Sequence, residues 1–501
     1  MLLARKWSPY FDPGLAVLNS WPIHVYPPGF PWILAISGAS KTLYTAHLFV
    51  SICFLASVMV FGYLAREELG ALQGGLLTLA MCLLPGVILS SLGILSENLY
   101  LFSSLSVLLL YSKIKADVHT SVVWILALVI LLTLTILTRS IGIALVLAVA
   151  TAPIFDKNLQ KKQKIIFLGT GVVSIVVWQV WGVIQPQPTG PTYFGTLQSA
   201  TQNLTDIPSL AVAFWSVVKT NLVQIISSFN HYLSLTNINV WFFLCSFMLL
   251  LFCLISLGLR FYQFKVDAVY LVFYLAILTI WPFPEEMTRF LHPIIFLLIL
   301  QPTAYFNKGI LNQKRTRAQW VVMLATGVFV INSLYLQFLL VQKRNIAEVN
   351  NPILVHSFHY YDEPSKFLGE LWSTFYAGTT RAIVESPKHI LSDDVVAAVK
   401  HENFVILTNR QAIPLSAVVP HNQQLCNLKL MNADVIFLSQ MTTANNERTL
   451  TLMEDYQNIL SDVWTLKDEN GVVWAQVLYI DKLKLDEELN SHECLSVQLI
   501  P

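Results

Sequence analysis

The chain has 501 residues; 55% are hydrophobic, only 12% are charged, and the net charge is +1. A soluble domain carries roughly twice that charge, so composition excludes a water-soluble enzyme and points to an integral membrane protein. The near-zero net charge gives no sign of nucleic acid as a partner.

The N-terminus "MLLARKWSPYFDPG" lacks the apolar core of a signal peptide. "PPGFPWILAISGA" (27–39) reads as a short helix that starts at prolines, which suit a first turn. Apolar runs then follow one another with short polar links. Candidate spans are 43–64, 71–90, 97–112, 120–138, 140–154, 164–184, 238–259, 267–283, 288–303 and 318–341. Several fall short of the roughly 20 residues a perpendicular span needs, so their ends are soft. The segment 208–228 carries Lys219 and Asn221 in its middle and is expected to lie on the membrane surface. The fold class is therefore a mainly α polytopic membrane protein of about 10 transmembrane helices.

Basic residues gather in alternate links: "YLAREELG", "YSKIKAD", "DKNLQKKQK", "RFYQFK" and "FNKGILNQKRTR". The positive-inside rule places these in the cytoplasm. The outward links are then 1–29, 90–97, the point around Arg139, 185–236 and "PEEMTRF". The last span delivers the C-terminal part outside. The expected division is a membrane domain, 1–344, and a small extracytoplasmic α/β domain, 345–501. In the latter, "YDEPSKFLGELWSTFYAGTTRAIV" is helical in pattern, and "NFVILTN", "ADVIFLSQ" and "VVWAQVLYI" are short β-branched strands. Asn203-Leu-Thr205 is a glycosylation sequon on the outward side, relevant in a eukaryotic source.

Of six cysteines, Cys53, Cys82, Cys245 and Cys253 lie in apolar runs and fit simple packing. Cys426 and Cys494 can form a disulfide if their domain is extracytoplasmic. There is no Cys/His metal spacing.

The topology brings a polar set from distant parts of the chain to one membrane surface: Asp12, His24, Glu97, Arg139, Glu285, Glu286, Arg289 and His292. Charges at span ends are costly and usually have a reason. Arginine grips phosphate with two parallel bonds and keeps its charge. A carboxylate beside it can act as base on a hydroxyl, or hold a sugar hydroxyl or a cation. Such a set suits displacement of a lipid phosphate from a sugar. The competing reading is interfacial anchoring, with Glu286 and Arg289 simply paired three apart on a helix end. His24 and His292 fit structural roles better. Arg139, between two apolar runs with almost no loop, needs a partner, and Glu97 is the candidate.

These motifs resemble those of the lipid-linked-sugar glycosyltransferases of the GT-C superfamily, in the branch of the protein mannosyltransferases and the aminoarabinose transferase. "HVYPPGFPWILAI" resembles that branch's Pro-Pro-aromatic-Pro opening. "LSENLYLF" resembles its Ser-Glu at the start of a span, "LTRSIGIALVLA" its TR-x-x-G segment and "MTRFLHPIIFLL" its RY-L-x-P segment. "VILTNRQAIPL" resembles a strand of its extracytoplasmic domain, with Asn409 where glycine is usual. The resemblance spans most of the chain, in order. It implies a multi-pass enzyme, in a bacterial inner (plasma) membrane, that moves a sugar from a polyprenyl-phosphate donor to a lipid, glycan or protein acceptor on the outer face, inverting the anomeric carbon. In that family a first-loop Asp precedes an LA-R segment; here "LLAR" occupies residues 2 to 5, so the family's first span and its Asp are expected upstream, unless Asp12 substitutes. The implied catalytic residues are Asp12, Glu97 and Arg289, with Arg139, Glu285, Glu286 and His24 binding substrate. No cofactor is indicated with certainty: a divalent cation is chemically compatible, but no ligand cluster stands out. A transporter or an inactive scaffold are the alternatives. Few mid-membrane charges and no inverted repeat of broken helices argue against a transporter.

Overall fold

The computed structural model describes residues 27–92, 95–116, 121–184, 207–234, 240–281, 287–309, 334–335, 382–398, 404, 408, 410–415, 421–439, 458–467 and 473–489. Helices dominate as far as residue 309: α1 (Gly29–Ile36), α2 (Leu43–Leu69), α3 (Ala71–Cys82), α4 (Pro85–Leu92), α5 (Glu97–Ala116), α6 (Val122–Thr138), α7 (Ile143–Phe155), α8 (Lys161–Ile184), α9 (Ile207–Ser234), α10 (Val240–Tyr262), α11 (Val266–Thr279) and α12 (Met287–Gly309). Among the described residues, four helices are long and apolar enough to cross a membrane: α2, α5, α8 and α12. Shorter apolar helices fill in between them. The chain is a multi-pass membrane protein.

The ends of these helices follow local chemistry. Thr42 and Thr45 form a reciprocal capping box, each hydroxyl accepting from the other's backbone N–H at 3.1 Å, and fix the start of α2. Gly70 closes α2 at φ 89°, a value that glycine takes without strain. The expected span 71–90 is instead two helices, α3 and α4, because the chain turns at Leu83–Leu84 ahead of Pro85. Span 318–341 lies outside the described residues save 334–335.

α5 and α12 form the centre. In the membrane-length window of each helix, 61% of α5 and 83% of α12 are buried, against 28% of α2 and 22% of α8. α12 packs on α2, α5, α9, α10 and α11. Its far end is tied down by a polar clasp. Arg260 donates to Asp267 at 2.7 Å and lies 3.6 Å from Glu68, and Gln301 of α12 donates to the same Asp267 oxygen at 2.9 Å.

α9 corrects the surface-helix expectation. Its C-terminal half is docked, burying Ile225, Phe229, Tyr232 and Leu233. Asn221 is buried and donates to the carbonyls of Thr279 (3.1 Å) and Trp281 (2.8 Å). Its N-terminal half keeps Val212, Phe214 and Trp215 exposed.

Two motif glycines converge on the last turn of α6. A Cβ on Gly29 would lie 2.8 Å from the Leu137 carbonyl carbon, and one on Gly142 2.8 Å from Ile136 Cα. Backbone is the obstacle in both cases, so neither contact can relax by a rotamer change. Gly29→Val is expected to destabilise the protein by about 1–3 kcal/mol through overpacking, checked by unfolding in mixed micelles. An unchanged midpoint would remove this role.

At the opposite end, Asp156 accepts from Lys115 and from the Asn158 N–H (2.9 Å). Burial by itself would raise the Asp156 carboxyl; the bonds from Lys115 and Asn158 outweigh it, and its pKa lies below the ordinary carboxylate value. A depressed carboxylate stabilises the fold above the unfolded value, about 4, and loses that contribution as pH falls through the folded value. The pair is partly exposed, so its worth is up to about 1 kcal/mol. Asp156→Asn is therefore expected to lower stability at pH 6 and to converge with the unmutated protein once pH falls below the depressed folded value.

The C-terminal part is a mixed five-stranded sheet of order β2-β1-β3-β5-β4. Its strands are β1 (Val396–Ala398), β2 (Ala412–Pro414), β3 (Val435–Ser439), β4 (Leu460–Lys467) and β5 (Val473–Ile480). β1 pairs parallel with β2 and β3, and β5 runs antiparallel to β3 and β4. Alternate residues face opposite sides. Val435, Phe437 and Val477 pack with Phe404 on one face; Ile436 and Leu478 meet α13 (His421–Leu430) and α14 (Lys482–Leu489) on the other. The strands expected in "ADVIFLSQ" and "VVWAQVLYI" are present. "NFVILTN" departs from the expectation. Its described residues, Phe404 and Thr408, are helical, and the Thr408 hydroxyl donates back to the Phe404 carbonyl at 2.7 Å. β4 went unforeseen because the apolar and polar residues of "LSDVWTLK" do not alternate strictly, and the strand carries irregularities in register against β5. Cys426 is disulfide-bonded; Cys494 lies outside the described residues. Cys53, Cys82 and Cys253 are free.

Candidate active site

The breaks between apolar helices place charged groups at helix ends. α6 stops at Arg139, whose extended backbone (φ −148°) ends the helix. The turn Ser140–Gly142 then restarts the chain into α7. Glu97 is the first residue of α5, where a carboxylate also suits the positive end of the helix dipole. Arg289 lies in the first turn of α12. Four residues on, Pro293 has no N–H to give the Arg289 carbonyl, so this turn is held by outside contacts.

These three ends meet. Arg139 Nη1 and Arg289 Nε both donate to one oxygen, Glu97 Oε1. Glu97 and Arg139 are buried, with side chains 2% and 8% exposed, while Arg289 is 27% exposed. Arg289 is thus the member that reaches open space. A single carboxylate faces two guanidinium groups, so the described cluster carries one net positive charge. Such a cluster attracts an anion.

Phe290 links the two arginines. The Arg139 guanidinium lies over its ring at 4.5 Å, and the Trp281 ring meets it edge-on at 4.8 Å. Its carbonyl accepts from the buried Tyr274 hydroxyl at 2.8 Å. Beside Glu97, Asn98 Oδ1 meets His292 Nε2 at 3.0 Å, and Asn98 Nδ2 donates to the Ser91 carbonyl at 3.2 Å. The Tyr232 ring of α9 lies nearly parallel to the imidazole, centroids 6.3 Å apart.

Of the residues singled out in the sequence, Glu97, Arg139, Arg289 and His292 are brought to this seam. Asp12, His24, Glu285 and Glu286 lie outside the described residues. In the described structure Glu97 accepts from both arginines. Asn98, Phe290 and Tyr274 were missed. Only Asn98 carried a usable signal, a polar residue inside the first turn of a buried span. The tyrosines and Phe290 looked like ordinary apolar filling. Arg410, in the "VILTNRQAIPL" segment, has a structural role. Its guanidinium donates to the carbonyls of Pro387 (2.8 Å), Ile390 (2.7 Å) and Leu391 (2.5 Å). Among the described residues no group of three or more His, Cys, Asp or Glu could hold a metal ion.

An apolar cavity of about 230 Å³ lies between α9, α10, α11 and α12. Phe229, Leu250, Leu254 and Leu275 line it, and Leu291 and Leu298 give it a wall on the helix that carries Arg289.

No family model matches the sequence, and no curated protein matches it. Solved structures of the oligosaccharyltransferase of Archaeoglobus fulgidus align with most of the chain. The apo form is 10% identical, covering 95% of this chain and 70% of that one, with a TM-score of 0.44. The complex of the archaeal oligosaccharyltransferase AglB with an inhibitory peptide and a dolichol-phosphate gives 10%, 95%, 69% and 0.45 in the same order. The form tethered to an acceptor peptide with the NVT sequon gives 11%, 94%, 68% and 0.46. Identity and TM-score are both too low to carry function from that enzyme to this chain.

Proposed function

We propose that the protein is a membrane glycosyltransferase of GT-C type that takes a sugar from a polyprenyl-phosphate donor and passes it to an acceptor hydroxyl at the outer membrane surface. One observation carries this reading: two arginines share a single buried carboxylate oxygen at the ends of buried helices, and one of them, Arg289, reaches open space. A partly exposed guanidinium held in place by a buried carboxylate is a preorganised donor for an anion. Phosphate suits such a donor, and the apolar cavity beside α12 suits the chain of a lipid that carries it.

In this reading residues 1–344 form the transferase unit and 345–501 an extracytoplasmic domain. The disulfide at Cys426 supports an oxidising compartment for the latter. A carboxylate takes the proton of the acceptor hydroxyl; Asp12 is the first-loop acid in this sequence. The hydroxyl oxygen attacks the anomeric carbon on the face opposite the phosphate. The carbon–oxygen bond to phosphate breaks, its electron pair stays on the phosphate, and the centre inverts. Arg289 meets the charge that builds on the leaving oxygen. Glu97 holds both guanidinium groups in place, and Arg139 braces Glu97. Glu285, Glu286 and His24 are carried as further substrate contacts.

The test is transfer of radiolabelled sugar from polyprenyl phosphosugars by the purified protein in proteoliposomes. Product with inverted configuration, dependent on Arg289, is the expected result. Counter-flow of labelled lipid-linked sugar without transfer would replace the enzyme with a transporter.

A further inference from the structure

Two acceptor atoms at the α5–α12 seam have no donor among the described residues. Glu97 Oε1 takes both arginines, and its second oxygen, Oε2, is buried without a hydrogen-bond partner. His292 Nδ1 is buried and equally without one. The geometry fixes the character of that nitrogen. Asn98 turns its Nδ2 to the Ser91 carbonyl, so its Oδ1 faces the imidazole and can only accept. His292 Nε2 therefore carries the proton, which leaves Nδ1 of the neutral ring as a bare acceptor. Glu97 and His292 are 1% and 0% exposed. Buried acceptors are nearly always satisfied in folded proteins. Two on one seam mark a place where a ligand brings donors.

We infer that Glu97 Oε2 and His292 Nδ1 seat hydroxyl groups of the glycosyl head of the lipid-linked donor. This rests on the phosphate reading above and extends it to the sugar. A hydroxyl brings an O–H to each acceptor, whereas an ionised phosphate or carboxylate has none to give. The seam thus has polarity: the anion belongs at Arg289, on the more open side, and the polyol at the two buried acceptors. His292, which fits a structural role in the sequence, becomes a sugar-binding residue, and Asn98 the residue that sets its tautomer.

The experiment uses the full chain in lipid nanodiscs. Its probes are decaprenyl phosphate and the glucosyl, mannosyl and galactosyl forms of decaprenyl phosphate. At least one glycosylated form is expected to bind about ten-fold tighter than decaprenyl phosphate. His292→Gln is the informative variant. Its amide can keep the bond to Asn98 but leaves no atom where Nδ1 lies. The ratio of glycosylated to bare affinity is expected to fall to about one in this variant. In the unmutated protein labelled with ¹⁵N-histidine, the His292 Nδ1 resonance is expected to move with the preferred glycosylated lipid and not with the bare phosphate. A ratio preserved in His292→Gln, an Nδ1 resonance that does not move, or no glycosylated form binding better than bare phosphate overturns the inference while the phosphate reading stands. Failure of decaprenyl phosphate itself to bind overturns the phosphate reading, and this inference with it. His292-dependent binding of Zn²⁺ by the lipid-free protein would assign the acceptors to a metal and overturn it too.

Discussion

Glu97→Ala is expected to lower stability by about 3–5 kcal/mol, because it leaves the buried Arg139 without its counter-charge. The effect is largely the cost of an unpaired buried cation, so a second variant separates it from the worth of the pair. Glu97→Leu combined with Arg139→Met removes both charges and keeps apolar volume. That double variant is expected to recover most of the loss. Unfolding in mixed micelles with increasing denaturing detergent checks both. A loss below about 1 kcal/mol for Glu97→Ala, a value ordinary for surface pairs, would mean that the seam is not braced by this carboxylate.

Arg289→Ala is expected to behave differently. Its side chain is 27% exposed, so its removal leaves Arg139 on Glu97 and the fold close to intact. The loss falls on the ligand. A charge-assisted bond from guanidinium to phosphate is worth about 1.5–3 kcal/mol, so affinity for decaprenyl phosphate is expected to drop by roughly ten- to a hundred-fold. Arg289→Lys is expected to recover only part of this, since an ammonium is a point charge without the paired geometry. Isothermal titration in nanodiscs reads both. Undiminished binding in Arg289→Ala would place the phosphate elsewhere and remove the main support for the proposed function.

The two predictions separate what the sequence made legible from what it did not. Glu97, Arg139 and Arg289 stood out because each interrupts or borders an apolar run, where a charge is costly. The helices around them were legible for the same reason: their apolar runs match α2, α5, α6, α7, α8, α10, α11 and α12 closely. The misreadings have local causes. The break at Leu83–Leu84 lies inside an unbroken apolar run, which carries no mark of a turn except the proline that follows. α9 looked like a surface helix because Lys219 and Asn221 lie mid-helix. Only packing shows that Asn221 points inward to the carbonyls of Thr279 and Trp281 at the end of α11.

By itself, then, the sequence determined a chain of apolar helices with three conspicuous charges and a C-terminal region of short β-branched strands. Those properties follow from solvation cost and from periodicity within a few residues. Tertiary structure alone decided that one carboxylate oxygen serves both arginines, 42 and 192 residues away along the chain. It also decided that His292 meets Asn98, the residue that follows Glu97 on α5. Contacts over such separations depend on which helix faces pack together. Glycines at 29 and 142, the proline at 293 and the Tyr274 hydroxyl govern that packing through close approach and stray hydrogen bonds. None of these leaves a periodic trace in the sequence.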